Sequence, residues 1–87
     1  MDTNLLINIT GFTAAGIGVV TFLPQVYRCY ITKRTKDISF LTYSMLATAS
    51  SLWIIYGVLN SALPIIFVNS VIFVLSIFLL LLKKKYG

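Results

Sequence analysis

Phe40–Leu82 reads FLTYSMLATASSLWIIYGVLNSALPIIFVNSVIFVLSIFLLLL and contains no charged residue. Asn60-Ser61-Ala62 divides it into two apolar stretches, Phe40–Leu59 and Leu63–Leu82. Each, at a helical rise of ~1.5 Å per residue, crosses the ~30 Å hydrocarbon core of a bilayer. Upstream, Leu5–Tyr30 is a third stretch of the same kind. The predicted fold is an all-α membrane protein. It is a bundle of three transmembrane helices over about 5–30, 40–59 and 63–82, forming one unit over residues 1–87.

The basic residues sit at alternate ends of these stretches. Arg28, Lys33, Arg34 and Lys36 flank the first junction, and Lys83, Lys84 and Lys85 follow the third stretch. By the positive-inside rule both clusters face the cytoplasm, with the N-terminus and the Asn60–Ala62 junction outside. The first stretch is not a signal peptide: it lacks a basic leader, its apolar run is too long, and two further spans follow. With 59% hydrophobic and 10% charged residues in 87, no room remains for a soluble domain. The net charge of +5 is better explained by anchoring to anionic lipid headgroups than by nucleic acid, which is not an expected partner.

Composition also removes most chemistry. There is no histidine, and the only acids, Asp2 and Asp37, lie outside the spans. Metal clusters, carboxylate dyads and histidine-based triads are thereby excluded, so neither an enzyme nor a cofactor is expected. Cys29, the single cysteine, reads as a small apolar filler near the inner end of helix 1.

Helix 1 carries small residues at Gly11, Ala14, Ala15 and Gly18, spaced to share a face for close helix packing. Pro24 removes a backbone donor, freeing carbonyls around Val20 and Thr21 that Thr21, Gln25 or water can satisfy. Gln25 is costly in lipid and must face protein or a cavity. The pair reads either as a static kink or as a hinge. In the following loop, Asp37 or Ser39 can cap helix 2, an ion pair being the second role for Asp37.

On helix 2, Met45, Ala49, Trp53, Tyr56 and Asn60 recur every three or four residues and form one stripe. Thr48, Ser50 and Ser51 can bond helix to helix. Counting from Asn60, Trp53 lies ~10 Å deep; counting from Leu63, Asn69 on helix 3 lies ~9 Å deep. Ser70 and Ser76 are weaker polar points that can bond back within helix 3. An indole face attracts the C–H face of a sugar, and a carboxamide donates to and accepts from hydroxyls. A neutral polyol suits this pair better than an ion, which would want a countercharge at that depth. The alternative is that Asn69 joins two helices while Trp53 fills a gap. Three helices cannot enclose a polar path, whereas a symmetric dimer with parallel subunits could.

These residues resemble the SemiSWEET family, bacterial half-size relatives of the SWEET sugar transporters in the PQ-loop/MtN3 group. The resemblance spans essentially the whole chain. It rests on Pro24-Gln25, the loop ending Thr35-Lys36-Asp37-Ile38-Ser39, Trp53-Ile54-Ile55-Tyr56-Gly57, and Leu63-Pro64-Ile65-Ile66 followed by Asn69. It implies a parallel homodimer in the bacterial plasma membrane, with helix 3 packed between helices 1 and 2, moving a mono- or disaccharide by alternating access. Trp53 and Asn69 match the sugar-contacting residues. Val20 and Ala49 match pocket-shaping positions, Tyr56 an outer gate and Met45 an inner gate. Some bacterial members carry Arg-Ser-Asp after the gate tyrosine, where this chain has Asn60-Ser61-Ala62. It cannot form their ion pair, so the outer gate must close through Tyr56 and Asn60. With no acid in the spans to carry a proton, a uniporter is the economical expectation. A non-transporting membrane scaffold is the competing reading, and a pore would want a continuous polar stripe that these helices lack.

Overall fold

A computed structural model of the chain describes residues 2–36 and 38–87. Three helices account for nearly all of it: α1 (Thr3–Thr32), α2 (Phe40–Leu59) and α3 (Leu63–Tyr86). Each is long and apolar enough to cross a membrane, which makes this a multi-pass membrane protein.

Local chemistry sets the helix ends. The Asp2 carboxylate accepts the Asn4 N–H at 3.2 Å and starts α1. Lys33 ends it in the left-handed region at φ 56°, its N–H donating to Cys29. The Ser39 hydroxyl accepts the Thr42 N–H at 3.2 Å and caps α2. Asp37, the other candidate cap, lies outside the described residues. Asn60 and Ser61 reverse the chain, Ser61 at φ 54°, and the Ala62 N–H closes the turn on the Gly57 carbonyl at 2.8 Å. Pro64 stands in the first turn of α3, where a missing N–H costs nothing. α2 has the expected bounds. α1 runs two residues further at each end, and α3 continues to Tyr86. Lysines are good helix formers, and their charge favours the carbonyl end of a helix, so Lys83–Lys85 extend α3 rather than end it.

The helices lie side by side in the order α1, α3, α2, as the resemblance implies. Helix α3 touches both others, and α1 and α2 do not meet. The molecule is flattened, 49 × 23 × 13 Å, as three helices side by side with α3 in the middle require. Helix α1 meets α3 in two zones. At the end nearest the α2–α3 turn, Gly11 and Ala15 approach the start of α3, and Phe12 lies 6.2 Å from Phe67 between ring centroids. At the basic end, Val26, Leu79, Leu82 and the loop residue Ile38 form a buried cluster, with Phe22, Tyr43 and Cys29 against it. Gly18 lies between the zones, where an added Cβ would meet no atom within 4 Å, and Ala14 is exposed. Of the four small residues, Gly11 and Ala15 therefore pack on α3. Gly18 is exposed, with open space where a Cβ would stand, and Ala14, though exposed, borders a shallow groove with Pro64, Ile65 and Val68 of α3.

Lysines also tie the basic end: Lys33 Nζ lies 5.6 Å from the centre of the Tyr86 ring. Lys83 Nζ donates to the Thr35 carbonyl at 3.0 Å and to the Gly87 carbonyl at 3.2 Å. The same Thr35 carbonyl accepts the Ile38 N–H at 3.1 Å, and Thr35 is 2% exposed. The α1–α2 loop is thus fastened to the end of α3.

Two substitutions test this frame. A Cβ on Gly57 would lie 2.8 Å from Ile66 Cγ1 and 3.3 Å from the Ile66 backbone nitrogen. Gly57→Ala should therefore cost about 1–3 kcal/mol by overpacking, read as a lower thermal midpoint in detergent. Lys83→Met keeps the apolar stem and removes the donor. Amide exchange in the 34–39 loop should accelerate several-fold, and unchanged protection would show that the contact does not hold the loop.

Candidate functional site

The stripe read from the sequence of α2 does form one face. Trp53, Tyr56, Ala49 and Leu52 line an open groove of about 430 Å³. Ala49 and Leu52 also line a second groove of about 320 Å³ with Met45, Ser44 and Thr48. The two are continuous along α2, and no ionisable group other than the Tyr56 phenol lines them. The Trp53 and Tyr56 rings meet edge to face, centroids 5.3 Å apart and planes at 83°, each residue 50% exposed. Edge-to-face contact sets the positive edge of one ring against the negative face of the other and holds the pair in a defined arrangement.

Asn60 ends the stripe at the C-cap of α2, its Nδ2 donating to the Tyr56 carbonyl at 3.1 Å. Asn69 is half-buried on α3, and its Nδ2 donates to the Ile65 carbonyl at 2.9 Å. Its carbonyl oxygen and second N–H stay free for another partner. Asn69 does not line the Trp53 groove. Val20 is 67% exposed on α1, a helix that does not touch α2. One chain thus brings together Met45, Ala49, Trp53, Tyr56 and Asn60, and leaves Asn69 and Val20 apart from them.

Pro24 sits inside an unbroken α1, and both it and Gln25 are exposed. The Thr21 hydroxyl donates to the Ile17 carbonyl at 2.8 Å, not to a carbonyl freed by Pro24. Gln25 makes no side-chain hydrogen bond among the described residues. The hydroxyls expected to join helices do not do so either: Thr48, Ser50 and Ser51 donate to the carbonyls of Ser44, Leu46 and Ala47 on their own helix. A Ser or Thr hydroxyl in a helix has the carbonyl four residues earlier within reach in a common rotamer, whereas a neighbouring helix must be positioned to offer one. Ser76 departs in the other direction. It is 0% exposed, and its hydroxyl has no partner among the described residues.

Sequence reasoning missed a polar groove at the turn end, lined by Asn4, Asn8, Asn60 and Ser61 among others. The available signal was Asn4 and Asn8 standing one turn apart. It also missed an apolar groove between α1 and α3, lined by Leu23, Tyr27, Tyr30 and Phe78.

Three spans side by side, with an aromatic pair on a neutral face that no other helix covers, make a small membrane-spanning unit. The family model described as PQ loop repeat matches residues 6–66. A sugar transporter SemiSWEET of Leptospira biflexa serovar Patoc is 48% identical over 64 residues, covering 74% of this chain and 75% of the relative. A sugar transporter SemiSWEET of Bradyrhizobium diazoefficiens is 34% identical over 82 residues, covering 94% and 95%. A crystal structure of a bacterial homologue of SWEET transporters superposes with a TM-score of 0.87 at 32% identity, covering 94% of this chain and 99% of that one. The chain belongs to the PQ-loop family, among the SemiSWEET proteins.

Trp53 is the chain's one tryptophan, so its fluorescence reports on the aromatic pair. Tyr56→Ala should shift and broaden the emission of purified protein, while Tyr56→Phe, which keeps the ring, should leave it nearly unchanged. Equal spectra for the two variants would mean that the edge-to-face contact is not held in the membrane protein.

Proposed function

We propose that the chain is a facilitative sugar carrier, working as a parallel homodimer in a bacterial plasma membrane with its N-terminus outside. The observation that carries this reading is the aromatic pair of Trp53 and Tyr56 on a neutral groove, half exposed in a flat row of helices in which α1 does not reach α2. A single layer cannot enclose a polar solute, and the half-exposed indole would otherwise lie against lipid. A second copy facing the first would close the groove around a central pocket. The two relatives named as sugar transporters support the solute class.

In this reading Trp53 offers a flat apolar platform to the C–H face of a mono- or disaccharide of the glucose or sucrose class. Asn69 supplies the oxygen and N–H that its bond to Ile65 leaves free. Val20 and Ala49 set the pocket width. Tyr56 and Asn60 close the outer side and Met45 the inner side. Pro24 and Gln25 let the inner part of α1 swing, because the Val20 carbonyl receives no backbone bond from Pro24. A neutral solute needs no countercharge, and no acid stands in the described spans to couple a proton.

Counterflow of labelled glucose and sucrose in proteoliposomes tests the reading directly. Trp53→Ala should abolish exchange while the protein remains dimeric in detergent, and wild-type rates would sink the pocket assignment. If Asn69→Leu also transports normally, Asn69 serves helix packing only. Pro24→Ala restores a backbone bond and stiffens α1, so transport should fall about tenfold or more while sugar affinity changes little. Equal loss of both would assign Pro24 a static role in shaping the pocket.

A further inference from the structure

The groove at the turn end, about 630 Å³, opens between α1 and the turn that joins α2 to α3. Asn4 and Asn8 line it from α1, and Asn60 and Ser61 from the turn. Its floor exists because residue 11 is glycine. A Cβ on Gly11 would lie 2.7 Å from Pro64 Cγ, and only its absence lets α1 close on the start of α3.

The lining has a definite chemistry. Three carboxamides and a hydroxyl face an apolar side made by Ile7, Pro64 and Ile65, and no ionisable side chain takes part. The Asn4 and Asn8 side chains make no hydrogen bond among the described residues, so both ends of each amide are available. Asn60 has given one N–H to the Tyr56 carbonyl and keeps its oxygen. Such a surface matches a neutral molecule with hydroxyls on its rim and C–H groups on its faces. A charged solute would lose hydration there without gaining a counterion.

Position gives the groove a purpose. Asn60 belongs to both places: it lines the groove and stands one turn from Tyr56 on the α2 stripe. Along α2 the groove begins seven residues, or ~10 Å, from Trp53. We propose that this groove is a loading subsite, separate from the Trp53 face, which holds a sugar by the Asn4 and Asn8 carboxamides before it passes Tyr56. The sugar as ligand rests on the carrier reading above; the neutral polyol chemistry rests on the lining alone.

The test uses the full chain in proteoliposomes, with Asn8→Cys in a Cys29→Ala background and a membrane-impermeant methanethiosulfonate reagent. Saturating glucose or sucrose should slow labelling at position 8 at least threefold. The same protection should persist when Trp53→Ala is added, which separates occupancy of the groove from motion driven at the central pocket. Independently, Asn8→Leu should raise the half-saturating sugar concentration several-fold with little change in maximal rate. Labelling indifferent to both sugars, protection lost with Trp53→Ala, or no labelling at all because a second copy covers the groove would each overturn the proposal. Protection of the Asn8→Cys protein, alongside a wild-type protein that moves neither sugar, would retain the subsite and remove the carrier reading instead.

Discussion

In hydrocarbon backbone N–H and C=O groups have no water to turn to and pair along their own helix, and most polar side chains of these spans follow the same rule, Ser76 excepted. The donating side chains of Thr21, Thr32, Thr48, Ser50, Ser51, Asn60 and Asn69 all return to the carbonyl four residues earlier. Among the described residues the spans exchange no hydrogen bond with one another. The one long-range side-chain hydrogen bond among the described residues, Lys83 to the Thr35 carbonyl, and the cation–π contact of Lys33 with Tyr86 both lie at the basic end, where water and headgroups are near. Helix association within the layer therefore rests on fit, and fit is concentrated where small residues let backbones approach. Gly11 meets Pro64, and Gly57 meets Ile65 and Ile66.

This division of labour shapes what can move. Helix α3 is the common support, held firmly to α2 through the tight turn and its buried neighbours Ala47, Ser50 and Gly57. Helix α1 touches α3 and not α2, with open space at Gly18 and with Pro24 between Phe22 and Val26 of the basic-end contact. Freedom in the layer thus belongs to α1, and the aromatic face belongs to the rigid pair α2–α3. An aromatic face on a fixed element beside a pliant one is the arrangement expected of any site that keeps its shape while access to it changes.

The fold was almost fully legible, because apolar length and charge placement act on each span separately. The bounds of α2 could be read from Ser39 and Asn60, whose side chains act within four residues. Lys83–Lys85 were misjudged as the end of α3, since their role as membrane anchors hid their fitness for a helix terminus. The Met45–Asn60 stripe was legible because spacing on one rigid rod settles which residues share a face. The groove at Asn4, Asn8 and Asn60 was not, for it depends on where α1 crosses α3, and that is decided by Gly11 and Pro64 packing at long range. Gly18 shows the same limit from the other side: its spacing fits the small-residue stripe, yet it stands exposed with no neighbour at its Cβ position.

Three spans put the two ends of this chain on opposite sides of the membrane. Two copies can lie parallel as separate chains, but a short linker from Gly87 to a second Asp2 would have to start and finish on different sides. A direct tandem fusion would invert its second half, reversing its basic residues against the positive-inside rule. Any single polypeptide holding two parallel copies of this unit needs one further crossing between them. The parity of the helix count, more than any side chain, therefore sets the minimum architecture for a covalently joined pair.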